Sequence, residues 1–306
     1  MLAFLQTELV PKIPLAEWTE SGVDWITETF EWFFDPLKDV IEAIVGSLEL
    51  TFTTLPALLM VAILTAIAFF LAGWRVALFT VLGLLFIISL DLWEPAMQTL
   101  ALVLVAAVVS LAIGIPIGII AAKSGAVEAT IRPILDVAQT MPAFVYLVPI
   151  VVLLGIGAGP GLIATVIFAM PPAVRLTMLG IQQVPKDTVE AAQAFGATPW
   201  QTLFKVELPL SLKTIMAGVN QVIMLSLSMV VIAGLAGAGG LGEPVVTGLS
   251  QLNVGMSFVG GVGIVVIAIM LDRVTRAMAR RDTGSASKGF LRGKRSGRDP
   301  AEGKAG

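Results

Sequence analysis

The sequence predicts an all-α protein: a polytopic transmembrane helical bundle of about seven spans. Three observations carry that reading. Hydrophobic residues make up 57% of the 306 and charged residues 13%, whereas soluble domains run near half apolar and a quarter charged. Seven apolar runs approach the ~20 residues a helix needs to cross a ~30 Å hydrocarbon core. The loops between those runs alternate between base-free and basic. The chain also has no Cys and no His, which removes disulfides, thiol nucleophiles, imidazole bases and Cys/His zinc sites.

Residues 1–54 read as an acidic segment, with ten acids and two bases in the first fifty. Ile26, Phe30, Phe33, Leu37, Val40, Ile41, Ile44 and Leu48 recur at helical spacing, and Trp18, Trp25 and Trp32 stand seven apart. An amphipathic helix there either lies at the outer membrane interface, where indole rings sit well, or packs on the bundle. The N-terminus lacks the basic start and apolar run of a cleaved signal peptide.

The spans are expected at 55–72 and 76–90, which form an N-terminal pair within 55–92. Within a core of 93–273 they are expected at 96–122, 143–157, 162–181, 210–235 and 258–271. The loops around 91–95, 155–161 and 236–257 hold no Lys or Arg. The alternate loops and helix ends carry Arg75, Lys123, Arg132, Arg175, Lys186, Lys205 and Lys213, and the tail carries Arg273, Arg276, Arg280, Arg281 and six further bases. The positive-inside rule places those faces in the cytoplasm, with the N-terminus outside and the C-terminus inside. Residues 274–306 form a basic tail, expected to be without regular structure from Thr283 onward.

Gly237-Ala-Gly239-Gly-Leu-Gly242 matches the dinucleotide pattern GxGxxG. That pattern must open a βαβ unit with an acid about 20 residues on, and no acid lies between Glu243 and Asp272. The run therefore reads as a close-packed helix break. No GxxxxGK[ST] phosphate loop exists, so the chain has no such route to ATP. Gly114 and Gly118 fit the small-xxx-small rule for close helix approach. Pro142, Pro149, Pro171 and Pro172 interrupt spans; they read either as kinks or as marks of a translocation path. No carboxylate sits where a proton-coupled pump would place its relay. That points to a driving force supplied elsewhere.

The loop 182–207 is polar and specified. Asp187, with Glu190 three residues on, predicts an N-cap and capping box. Ala191, Ala192 and Ala194 favour helix, and Gly196 can close it in the left-handed conformation. Thr198-Pro199-Trp200-Gln201 predicts a second capped helix with Pro at its first position, and Pro209 marks the start of the next span. Two short helices at a bend on the cytoplasmic side follow from this spacing, with a small Ala–Ala face that lets a partner's groove approach.

Glu190, Ala191, Ala192 and Gly196, followed by Val206-Glu-Leu208-Pro209, resemble the EAA-x3-G-x9-I-x-LP signature of ABC importer permeases, with Val206 in place of the usual Ile. The resemblance covers roughly 96–273, the type I permease core. Within it, Ile131-Arg-Pro-Ile-Leu-Asp136, the stretch 139–149, Pro171-Pro-Ala-Val-Arg-Leu-Thr177, Met216-Ala-Gly-Val-Asn-Gln221, the stretch 227–233 and the stretch 259–264 are similar to permeases of glycine betaine/proline betaine importers. The resemblance implies a non-enzymatic transport subunit in a bacterial inner membrane, paired with a second permease copy. It also implies an ATPase subunit that binds the ATP and Mg, so that no cofactor is expected in this chain, and an extracytoplasmic substrate-binding protein. No nucleic acid is expected as partner.

Its implied role is osmoprotective uptake of betaines. Choline, carnitine or another small amine is the alternative substrate, and an ATP-independent carrier or channel the alternative mechanism. ATPase coupling falls on Glu190, Ala191, Ala192, Gly196, Leu208 and Pro209. Path lining falls on Met141, Pro142, Tyr146, Pro149, Pro171, Pro172 and Arg175.

Overall fold

The computed structural model describes residues 13–295, with side chains through Met278, and every regular element among them is helical. Helix α1 (Leu15–Thr54) is followed by α2 (Ala57–Ala72), α3 (Trp74–Ser89), α4 (Trp93–Lys123), α5 (Gly125–Thr140), α6 (Ala143–Leu154) and α7 (Ala158–Gln182). Then come α8 (Lys186–Ala194), α9 (Pro199–Thr202), a π-turn (Leu203–Glu207), α10 (Leu208–Ser228), α11 (Val230–Leu235), α12 (Gly242–Ser250) and α13 (Val254–Arg295).

Four stretches are long and apolar enough to cross a bilayer: Trp93–Lys123, Ala158–Gln182, Pro199–Leu235 and Val254–Met278. Two bent pairs, α1 with α2 at 108° and α5 with α6 at 94°, raise the number to six, and α3 is a shorter apolar helix. Together these agree with about seven spans, although the membrane-crossing unit at 143–157 is half of a broken pair. Helix α6 alone has 12 residues, or ~18 Å at 1.5 Å per residue. Helix α5 was not expected at all; Ser124 caps it, its Oγ accepting from the Val127 N–H at 3.5 Å.

The centre of the molecule is α7, packed on α4 on one side and α10 on the other. Gly114 and Gly118 make the first contact close, as their spacing predicted. A Cβ at Gly114 would stand 2.7 Å from the Ala173 Cβ, and one at Gly118 would stand 2.7 Å from the Val174 carbonyl oxygen. Helices α10 and α11 run antiparallel to α7: Gly180 abuts Ser211 and Thr214 of α10, Gly218 of α10 abuts Leu176, and Gly161 abuts Ala233 of α11. The main core gathers Leu84, Ile87, Met97, Leu100, Val222 and Ile267 from α3, α4, α10 and α13.

Helix α1 kinks at Phe30, and both halves lie against the bundle, the first beside Val148, Pro149 and Val152 of α6. Ile41 and Val45 are buried against Leu102, Val105 and Leu162 of the bundle. Trp18, Trp25 and Trp32 stay exposed. At the other terminus the backbone of α13 stays helical to Arg295. It thus runs past Thr283, where the sequence predicted the loss of regular structure; residues 296–306 of the expected tail lie outside the described residues.

Candidate functional site

The loop 182–207 stands at one end of the α4–α7–α10 core. Pro185 has ψ 127°, and α8 begins directly after it, with no side-chain cap. The predicted box between Asp187 and Glu190 is therefore not formed. Proline has no N–H to cap and a φ already suited to a helix start, so the helix begins one residue before Asp187. Asp187 instead sits in the first turn, where its charge favours the positive end of the helix dipole.

Helix α8 has no buried residue. Glu190 and Ala191 are exposed and Ala192 half-buried. The helix closes as the sequence predicted. Gly196 adopts φ 84°, its N–H donates to the Gln193 carbonyl (2.8 Å), and the Ala197 N–H donates to the Ala192 carbonyl (3.0 Å). That pair of bonds is the Schellman arrangement, which needs a left-handed residue at this position. A Cβ at Gly196 would meet nothing within 4 Å, so its requirement is conformational rather than steric.

The second predicted cap is present. Thr198 Oγ1 accepts from the Gln201 N–H (3.3 Å), and Gln201 Oε1 accepts from the Thr198 N–H (2.9 Å). However, α9 is no separate helix. It passes through the π-turn into α10, and Pro199–Leu235 is one continuous crossing unit. Pro209 supplies a reason: it cannot donate to the carbonyl four residues earlier and its ring crowds that carbonyl. A wider turn just before it relieves both, with the Leu208 N–H donating to the Leu203 carbonyl five residues back. Such π-turns concentrate at functional sites. Leu208 and Pro209 are thus the first turn of α10, where the sequence placed the start of the span.

One contact ties this turn to the core, and sequence reasoning missed it. Glu207 in the π-turn is buried and pairs with Lys123, the last residue of α4. The two stand 84 positions apart, so no local spacing announces the pair. Nearby, Arg175 donates to Asp136 Oδ1 at 2.5 Å, and Gln182 Nε2 donates to Glu128 Oε2 at 3.0 Å, fastening α5 to α7. Above the pair a groove of about 430 Å³ opens between α4 and the loop, lined by Ile119, Ile120, Val189, Gln193 and Trp200. Phe195, Trp200 and Phe204 are strongly exposed there, the last two stacked at 5.8 Å.

The residues expected to line a path are spread over the α5–α6 break, α6 and α7. Pro171 and Pro172 are buried inside α7, and the Pro172 carbonyl oxygen lies beside Gly218 of α10. Met141 and Pro142 form the break between α5 and α6. Pro149 faces α1. Tyr146 is half-buried, and its hydroxyl has no hydrogen-bond partner among the described residues. Arg175 is held by Asp136.

Fold and loop together define a polytopic membrane permease. The model of the family described as "binding-protein-dependent transport system inner membrane component" matches residues 114–282, and the chain belongs to that family. The chain is 49% identical over 267 residues to the glycine betaine transport system permease protein OpuAB of Bacillus subtilis (strain 168), covering 87% of this chain and 95% of that one. It is 48% identical over 268 residues to the glycine betaine/proline betaine transport system permease protein ProW of Escherichia coli (strain K12), covering 88% and 76% respectively. A chain of an inward-facing MetNI methionine ABC transporter superposes with TM-score 0.55 at 23% identity, over 60% of this chain and 92% of that one; it shares the fold. The chain is thus a permease of the ABC-transporter class.

Proposed function

We propose that the chain is the membrane-spanning subunit of an ATP-driven importer for glycine betaine and proline betaine, and that the end carrying α8 faces the cytoplasm. The observation that carries the reading is a helix with no buried residue, capped at its far end and joined to the core through Glu207 and Lys123. A short helix that buries nothing against its own chain gains stability from a partner. The exposed small face of Ala191 with Glu190 offers a surface that a groove can cover, and Glu190 has no hydrogen bond or ion pair of its own among the described residues.

The partner is a separate ATPase, which binds ATP and Mg and does the hydrolysis; this chain then performs no enzymatic step. Lys123, Arg132, Lys186, Lys205 and Lys213 lie at the α8 end, which supports its cytoplasmic placement and an external N-terminus. An external binding protein delivers the substrate to the opposite face, and a second copy of the chain completes the path. The betaine assignment rests on the relatives' names.

The test is reconstitution. Proteoliposomes holding the chain, the ATPase and the binding protein are expected to accumulate radiolabelled glycine betaine only with ATP inside the ATPase compartment. Uptake by the chain alone, indifferent to ATP, would sink the reading in favour of a carrier or channel.

A further inference from the structure

Helix α10 carries an exposed face with a carboxamide in its middle, where a lipid-facing helix would be apolar throughout. The stripe runs through Leu210, Lys213, Ala217, Gln221, Met224 and Ser228, all exposed and three or four residues apart, which places them on one side of the helix. Its opposite side is buried in the core through Gly218, Val222, Ile223 and Leu227. Compare α2 and α3, whose exposed positions include Leu58, Leu59, Ile67, Leu78, Leu82 and Leu85.

Gln221 is the telling member. It lies ten residues beyond Ser211 of α10 and twelve before Ala233 of α11, the positions where this crossing unit meets the two ends of α7, so it sits near mid-depth. Its neighbour Asn220 is half-buried and has a partner, its Oδ1 accepting from the Thr275 hydroxyl at 2.9 Å. Ser228 is satisfied too, donating to the Met224 carbonyl at 3.0 Å. The Gln221 carboxamide makes no hydrogen bond among the described residues. An amide facing hydrocarbon without a partner costs several kcal/mol, of order 2–7. Polar groups at that depth therefore face a partner or a water-filled cavity.

We propose that Gln221 lines the aqueous translocation path at mid-membrane and touches the substrate as it passes. Its chemistry suits a small zwitterion: the amide N–H groups donate to a carboxylate, and the amide oxygen and the Met224 thioether present electron density to a quaternary ammonium group. The identity of that zwitterion rests on the importer reading above, whereas the position of Gln221 on a path does not.

The wild-type chain has no cysteine, so Gln221→Cys introduces its sole thiol. Assembled with ATPase and binding protein in proteoliposomes, that variant is treated with a methanethiosulfonate bearing a trimethylammonium group, which reacts with thiolate in water and not with a thiol in lipid. Residual thiol is then counted with a fluorescent maleimide after denaturation. Leu82→Cys, on the apolar face of α3, serves as the lipid-facing control. The expected result is modification at position 221 at least tenfold faster than at position 82, slowed several-fold by glycine betaine during turnover. Reaction at 221 as slow as at 82 would overturn the placement on a path. Fast reaction that betaine leaves unchanged would overturn the substrate contact. Gln221→Leu, which keeps the volume and loses the amide, is expected to lower the maximal uptake rate about tenfold; an unchanged rate counts against the contact as well. Failure of the importer reading itself would show separately, as a lack of ATP-driven uptake by the unmodified chain.

Discussion

The two ends of the α4–α7–α10 core hold their irregular backbone in opposite ways. At one end, residues 237–242 form the glycine-rich break, folded into the molecule. Gly237, Gly239 and Gly240 take φ of 79°, 71° and 72°. The Gly240 N–H donates to Gln98 Oε1 and the Leu241 N–H to Thr99 Oγ1, both at 2.8 Å. Gln98 in turn donates to Glu49 Oε1 at 2.8 Å, joining α1 to the same clamp. A Cβ at Gly240 would stand 2.6 Å from Thr99 Oγ1, and one at Gly242 would strike the Val230 carbonyl oxygen. At the other end, α8 touches little and hangs from a π-turn anchored by one ion pair. The first end is a fixed packing joint. The second is a free surface on a stiff stem, the arrangement expected where force from another subunit is delivered to the core.

The comparison can be broken most severely at the packed end. Gly242→Ala forces a methyl into the Val230 backbone, and overpacking of this kind costs about 3 kcal/mol. Thermal unfolding in detergent is expected to show a large loss of stability with little folded protein recovered. A near-normal melting temperature would mean that the break yields, and that the joint is not fixed.

At the opposite end, Lys123→Ala leaves Glu207 buried without its cation. Removing one partner of a buried pair costs several kcal/mol, reduced here because the Lys123 side chain is 44% exposed. About 2 kcal/mol of destabilisation is expected, together with ATP hydrolysis that no longer tracks uptake, while Lys123→Arg retains both. If ATPase and transport stay coupled in Lys123→Ala, the ion pair is not the stem of the loop.

Gly196→Val probes the loop alone. Space is open around the glycine, so the penalty is the left-handed backbone, about 1–2 kcal/mol. It is expected to unravel the C-terminal turn of α8 and weaken ATPase association, leaving the melting temperature of the bundle nearly unchanged. The smallest effect belongs to Glu190→Gln. Because Glu190 takes part in no capping box, the change is expected to leave stability within about 0.5 kcal/mol. Any loss of ATPase binding, read by co-purification at two salt concentrations, then reports the charge itself.

Much of this was legible in the sequence because it is local. The positive φ at Gly196, the Thr198–Gln201 box and the break at Gly237–Gly242 each follow from residues within a few positions of one another. So do the runs that became α2, α3, α4 and α7. What was not legible depends on distant contacts or on competing local signals. The Lys123–Glu207 pair joins residues far apart in the chain. Asp187 had the spacing of an N-cap, but Pro185 started the helix earlier. Thr198 to Gln201 read as an isolated helix, and only the π-turn ahead of Pro209 shows that it is the beginning of a spanning unit. Helix α5 escaped notice because its apolar residues are interspersed with Glu128, Arg132 and Asp136, whose partners Gln182 and Arg175 lie on another helix. Gln221 hid inside an apolar run, since which face of α10 is buried is decided by α7.

Cross-linking tests the difference between the two ends most directly. Phe195 is 93% exposed beside α8, and Leu252 is 86% exposed just after α12 at the glycine end. Phe195→Cys and Leu252→Cys, each the sole thiol in its chain, are coupled to a photoactivatable maleimide in membranes containing the ATPase and illuminated. A permease–ATPase product is expected from position 195 and none from position 252. No product at 195, or equal products from both, would contradict the assignment of α8 as the surface on which the ATPase docks.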